Sequence, residues 1–83
     1  ILMKSKSILV TGGIGYLGTI LILNLLKKGY NVITIDPLIF GKSNLSELER
    51  YKNFNIVVGL TEDKYILKKV FEENIDTIIH LSG

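Results

Sequence analysis

Cysteine is absent from this 83-residue chain, and histidine occurs once. Without thiols there is no disulfide framework and no thiolate metal site, although the lack says little about redox compartment. One imidazole leaves little room for a metal cluster. Charge of one sign is scarce as well: 10 Lys and Arg stand against 8 Asp and Glu, a net charge of +2. The longest basic runs are the pairs Lys27-Lys28 and Lys68-Lys69, and no basic stripe is interleaved with aromatics. Nucleic acid is therefore not an expected partner. Long apolar runs are missing too. The densest, from Leu17 to Leu26, is broken by Gly18, Thr19 and Asn24 and falls well short of the roughly 20 residues that span a bilayer, so no membrane partner is expected. The opening residues 1–7 are basic but lead into a β-type run instead of a signal-peptide apolar region. A cytoplasmic location is the default expectation.

What is present is apolar and regularly arranged. Hydrophobic residues make up 47% of the chain, more than a small domain needs when it buries only about 60 to 65% of its unfolded surface. Part of that surface is expected to meet something outside the chain. Apolar runs of strand length alternate with amphipathic stretches of helix length, which is the βαβ signature. Strands are expected at Ser7 to Thr11, Asn31 to Asp36, Asn55 to Val58 and Asp76 to Leu81. Helices are expected from about Tyr16 to Lys28, Asn44 to Tyr51 and Asp63 to Asn74, with Gly29 as a helix C-cap. The strands read as continuous apolar runs, as in a parallel sheet covered on both faces. Right-handed crossovers then give an α/β, Rossmann-type parallel sheet, partial, βαβαβαβ with strand order 3-2-1-4 and helices on both faces. The whole of 1–83 reads as one such segment.

The first helix is apolar nearly all round, through Leu17, Ile20, Leu21, Ile22, Leu23, Leu25 and Leu26, so burial on more than one face is expected. Strand four, with Ile78 and Ile79, is left beside an unpaired edge. Both features, with Ile1 in place of an initiator methionine and Met3 close behind, predict the N-terminal part of a larger protein or a homo-oligomer.

The segment Ile8-Leu9-Val10-Thr11-Gly12-Gly13-Ile14-Gly15-Tyr16-Leu17-Gly18 carries the chemistry. It reads as a buried strand running through a glycine-rich turn into a helix. Glycines let a backbone turn sharply, approach a pyrophosphate and pack the new helix close to the sheet. The helix N-terminus then turns free N–H groups toward the anion. Two registers fit, Gly12, Gly15 and Gly18 or Gly13, Gly15 and Gly18. Asp36 ends strand two, where a carboxylate accepts from the ribose 2′-hydroxyl and repels a 2′-phosphate, favouring NAD over NADP. The other role open to it is to cap the turn at Pro37.

With Thr11 before it, the turn reads TGGxGYxG, which resembles the fingerprint of the extended short-chain dehydrogenase/reductase family, the NAD-dependent nucleotide-sugar epimerases and dehydratases. That resemblance favours the register Gly12, Gly15 and Gly18. It runs from Ile8 to Gly83 and includes the DxLxxG pattern at Asp36, Leu38 and Gly41, with Pro37 where an Asn is common. Lys42 nearby is the one hint toward a phosphate. The family's Gly-Asp-Ile/Leu-x-Asp aligns with Gly59-Leu60-Thr61-Glu62-Asp63, so Leu60 replaces the acid that holds the adenine amino group. Leucine packs on a purine without accepting from it, the Thr61 N–H remains as a donor, and Asp63 reads as a helix cap. Ile78-Ile79-His80-Leu81-Ser82-Gly83 resembles the segment that lines the cofactor.

The resemblance therefore implies an NAD-binding part of a nucleotide-sugar epimerase or dehydratase. Gly12, Gly15, Tyr16, Leu17 and Gly18 would lie around the pyrophosphate, Asp36 on the ribose, Leu60 and Thr61 at the adenine, and Leu81, Ser82 and Gly83 alongside. His80 reads as a strand-end histidine satisfied by backbone partners. Tyr65 and Lys69 match the family's YxxxK spacing, yet they sit on the helix after strand three, and the match reads as coincidence. No catalytic or metal-binding residue is expected in the chain. A nucleotide sugar would be met only through a further C-terminal part, so the 83 residues alone are expected to turn over nothing. The alternative is a catalytically silent dinucleotide-binding or subunit-contact module, favoured by Leu60 and Pro37.

Overall fold

Alternation along the first two strands decides where each helix packs. In a computed structural model that describes residues 6–39 and 44–81, β1 (Ser7–Thr11) turns Ile8 and Val10 to one face and Leu9 to the other. Its neighbour β2 (Asn31–Asp36) sends Val32 to the first face and Ile33 and Ile35 to the second. Both faces need a helical cover, which is why the strands are apolar throughout. On the first face α1 (Tyr16–Lys27) and the single-turn α2 (Leu45–Leu48) supply Ile22, Leu26, Leu45 and Leu48. On the second, α3 (Lys64–Phe71) supplies Val70, with Ile66 and Leu67 beside it. Strands β3 (Phe54–Val58) and β4 (Thr77–His80) complete a four-stranded parallel sheet of order β3-β2-β1-β4. The expected order and the two-sided helical cover are both present.

Element ends differ from expectation by a residue or a few, for local reasons. α1 stops at Lys27 in a Schellman motif: Gly29 takes φ +92, its N–H donates to the Leu26 carbonyl at 3.0 Å, and Tyr30 N–H donates to Leu25 at 3.2 Å. α2 is shorter than Asn44 to Tyr51 because after Glu49 the bonds tighten to i→i+3, from Arg50 to Glu47 and from Tyr51 to Leu48. α3 ends at Phe71 instead of Asn74, since Asn74 takes the left-handed φ of 59. β4 begins at Thr77 because Asp76 is used at its entry, where its N–H donates to the Ser7 carbonyl and its Oδ2 accepts from Ser7 N–H, both at 2.8 Å.

One expectation is not met within the chain. α1 buries a single stripe, Gly18, Ile22 and Leu26, which are spaced by four residues and face the sheet. Leu17 is 75% exposed and Ile20 45% exposed, because nothing among the described residues packs on that side. The edge strand β4 likewise leaves Ile78 52% exposed. Among the described residues no helix is long and apolar enough to cross a membrane.

Candidate functional site

Because all four strands run the same way, their carboxyl ends meet at one rim of the sheet, and the loops that leave them form one crevice. The glycine turn leaves β1 there. Gly12 takes φ 71, open to glycine without strain, and its N–H donates to the Ile35 carbonyl at 2.9 Å. The next two N–H groups also reach β2: Gly13 donates to Thr34 Oγ1 at 3.2 Å, and Ile14 donates to Asp36 Oδ2 at 3.1 Å. Thr34, fully buried, donates its hydroxyl hydrogen to the Val10 carbonyl at 2.6 Å. Ile14 itself is buried in the first core, and its carbonyl accepts from Asn44 Nδ2 at 3.2 Å. The turn is thus held from below by three consecutive positions of β2.

Two more glycines are required by packing. A Cβ on Gly13 would overlap Ile22 Cδ1 and Thr34 Oγ1, and one on Gly18 would lie 2.7 Å from the Gly13 carbonyl oxygen. Gly15 is different, for a Cβ there would meet nothing within 4 Å, and its φ of −72 and ψ of 174 suit any residue. Gly15 is the N-cap of α1, and its carbonyl accepts from both the N–H and the hydroxyl of Thr19, at 2.9 and 2.8 Å. No side chain caps the helix and no acid stands in its first turn. The first-turn N–H groups of Tyr16, Leu17 and Gly18 have no acceptor within the helix and carry the positive end of its dipole. Tyr16 is 76% exposed, at the open side of the turn.

Asp36 caps the turn and also holds the glycine loop. Oδ1 accepts from Leu38 N–H at 2.7 Å, which caps the Pro37 turn, while Oδ2 faces the glycine turn through Ile14. Proline has no N–H, so the bond falls to Leu38, which adopts φ 57 at a cost of about 1 kcal/mol. Each carboxylate oxygen accepts about two hydrogen bonds, leaving the half-buried Asp36 with capacity toward a diol.

The other strand exits lie beside it. Gly59 N–H donates to the Asp36 carbonyl at 3.1 Å, carrying the β2–β3 pairing beyond the strands. Leu60 follows, 55% exposed, and then Thr61, half-buried. Asp63 caps α3 as expected, with Oδ1 accepting from Tyr65 N–H at 2.9 Å and Ile66 N–H at 3.3 Å. On the far side Leu81 N–H donates to the Thr11 carbonyl at 3.0 Å. His80 Nδ1 meets Thr11 Oγ1 at 2.5 Å, a hydroxyl on its register neighbour. Gly41, Lys42, Ser82 and Gly83 lie outside the described residues.

The rim therefore brings together Gly12, Gly15, Tyr16, Leu17, Gly18, Asp36, Leu60, Thr61 and Leu81. Tyr65 and Lys69 lie on α3, with the ammonium over the ring, 5.8 Å from its centroid, and Tyr65 itself 72% exposed. Among the described residues no group of three His, Asp or Glu could hold a metal ion. Sequence reasoning missed Ile14, Asn44 and Thr34. The signal for Thr34 was its place as the lone hydroxyl in the run Val32 to Ile35.

What this crevice offers is a helix N-terminus for an anion and, one strand away, a carboxylate for vicinal hydroxyls. The model of the family described as "NAD dependent epimerase/dehydratase family" matches residues 8–83. A UDP-glucose 4-epimerase from Neisseria meningitidis serogroup A is 38% identical over 84 residues, covering 94% of this chain and 24% of its own length. Among solved structures, an epimerase from Methanothermobacter thermautotrophicus superposes with a TM-score of 0.85 at 41% identity, over 96% of this chain and 23% of that one. A dTDP-glucose 4,6-dehydratase from Bacillus anthracis, solved in complex with NAD, gives 0.87 at 25% identity, over 95% of this chain and 27% of that one. The chain spans about a quarter of the length of these relatives. With the fold, the glycine turn and the match over residues 8–83 in agreement, the chain belongs to the NAD-dependent epimerase/dehydratase family.

Proposed function

We propose that this chain is the NAD-holding part of a nucleotide-sugar epimerase or dehydratase. The observation that carries the reading is Gly15. Gly12 answers to a positive φ, and Gly13 and Gly18 to close packing, but among the described residues no neighbour requires a missing side chain at Gly15. A ligand that approaches the backbone supplies the reason, and a pyrophosphate seated on the first-turn N–H groups is such a ligand.

The residues present fit the cofactor. Tyr16, Leu17 and Gly18 N–H would receive the pyrophosphate, and Gly12 and Gly15 would let it come close. Asp36 would accept from the adenosine ribose, and its negative charge favours NAD over NADP. Leu60 and Thr61 would border the adenine, and Leu81 to Gly83 would run alongside. When bound, NAD supplies a hydride acceptor for oxidation of a sugar hydroxyl. The names of the Neisseria and Bacillus relatives support a nucleotide sugar as the substrate class, which a longer protein would hold through residues beyond these 83. A cytoplasmic location goes with this reading.

Calorimetric titration with NAD and NADP tests it. Heat is expected with NAD, with NADP weaker by about tenfold or more, equivalent to about 1.4 kcal/mol. Folded protein that gives no heat with either dinucleotide defeats the assignment.

A further inference from the structure

Strand β3 is an edge of the sheet, and its backbone is laid out for a further strand. Val32 N–H donates to the Asn53 carbonyl at 2.9 Å, and Gly59 N–H donates to the Asp36 carbonyl at 3.1 Å. In a parallel ladder the N–H and carbonyl of a residue point to the same side and successive residues alternate. Asn55 and Val57 therefore face β2, while Phe54, Ile56 and Val58 face outward. The Phe54 N–H is already used, donating to the Tyr51 carbonyl at 3.3 Å. Among the described residues nothing accepts from the Ile56 and Val58 N–H groups or donates to the Phe54, Ile56 and Val58 carbonyls. The strand holds no charge and no proline, two of the devices by which edges are kept from pairing.

A groove lies on each side of this edge. On the second face it is lined by β3 and α3 together, through residues that include Asn55, Val57, Ile66, Lys69, Val70 and Glu73. On the first face Glu49, Phe54, Asn55 and Ile56 line the other. Lys69 and Glu73 thus put both signs of charge on one groove. The Lys69 ammonium lies over the Tyr65 ring, and among the described residues Glu73 forms no ion pair.

These features complement themselves. With Ile56 opposite the Ile56 of a second copy, an antiparallel pair exchanges two hydrogen bonds at that position, and each Val58 N–H reaches the partner's Phe54 carbonyl. Every open N–H of the two edges is then used, and the Phe54 N–H, satisfied within its own chain, is the donor that this register leaves out. The same two-fold axis sets the two α3 helices antiparallel and turns Lys69 of each copy toward the partner's Glu73. An unrelated strand would find the same backbone groups but not this exchange of charge, which needs β3 and α3 on both sides.

We propose that β3 is a dimerisation edge, through which two copies of this chain pair antiparallel about Ile56 and join their sheets into one. The contact draws on none of the residues assigned to the dinucleotide.

Amide hydrogen exchange, followed residue by residue by NMR, tests it. The Ile56 and Val58 N–H groups should gain about tenfold or more protection as the concentration of the 83-residue chain is raised. Association through any other surface gives these two groups no acceptor and leaves them exchanging freely. Free exchange of both at every concentration overturns the proposal. Val58→Pro removes an outward donor and leaves the β2 ladder whole, so Ile56 should lose its concentration-dependent protection, and its retention overturns the pairing. Glu73→Lys tests the contact from an exposed position outside the strand. It should raise the dimer Kd, read from the concentration at which Ile56 becomes protected, by about tenfold, and adding Lys69→Glu should restore it. A Kd unmoved by Glu73→Lys, or not restored by the second exchange, overturns a second copy as the occupant of this edge.

Discussion

A Cβ on Gly15 would meet nothing within 4 Å, whereas one on Gly18 would lie 2.7 Å from the Gly13 carbonyl oxygen. The two glycines should therefore fail in opposite ways. Gly15→Ser places a preferred N-cap residue on α1 and should raise stability by a few tenths of a kcal/mol, while weakening NAD binding by about tenfold or more, equivalent to about 1.4 kcal/mol. Gly18→Ala should cost about 1 to 3 kcal/mol of stability through overpacking against backbone that cannot move aside. Urea denaturation beside calorimetry separates them, and a Gly15→Ser protein that binds NAD normally would sink the phosphate assignment. Thr34→Val tests the latch beneath the turn. It strands the buried Gly13 N–H and should cost about 1 to 3 kcal/mol, read from the same denaturation midpoints. The glycines and Asp36 were legible in the sequence because turn residues between an apolar run and a helix have few other uses. Thr34 was not, because a threonine in a strand is an ordinary β-former, and its contacts with Gly13 and Val10 exist only once the β1–β2 register is set.

The helices differ in how their ends are closed. α1 is closed at its C-terminus by Gly29 and left without a side-chain cap at its N-terminus, whereas the N-terminus of α3 is capped by Asp63. Gly29→Ala should cost about 1 kcal/mol, because alanine must adopt the left-handed conformation. Asp63→Ala should cost about 1 kcal/mol by freeing the Tyr65 and Ile66 N–H groups. Gly29→Ala should not alter NAD affinity, and a loss of binding there would show that the site depends on the helix end opposite the glycine turn. Element order and type were legible because apolar runs and helical stretches alternate without interruption. Helix ends were less so: Asn74 at φ 59 and the i→i+3 bonds after Glu49 are choices between nearly equal local conformations, settled by what the chain does next.

At the scale of the whole molecule, apolar surface on α1 and β4 remains uncovered by the described residues. Leu17 and Ile20 stand out from α1, and Ile78 stands on the edge strand β4. We propose that the 83-residue chain self-associates through them, and light scattering should then give a mass above that of one chain; a monodisperse monomer would contradict this. The all-round apolar pattern of the first helix and the edge position of the fourth strand already located this surplus, and α1 burying one stripe only shows which of its residues stand out. The site is equally a product of the whole sheet, and the attachment of the glycine turn to β2 has a consequence in time. During synthesis the chain emerges from its N-terminus, so residues 12–14 exist before the Thr34, Ile35 and Asp36 groups that receive their N–H bonds. Until that second strand arrives, the Gly12, Gly13 and Ile14 N–H groups lack the acceptors that hold the turn. Once it arrives, contact across the intervening chain is fast, on the order of 100 ns, but the glycine turn and the Asp36 carboxylate are set together only when the slower parallel pairing of β1 with β2 is complete.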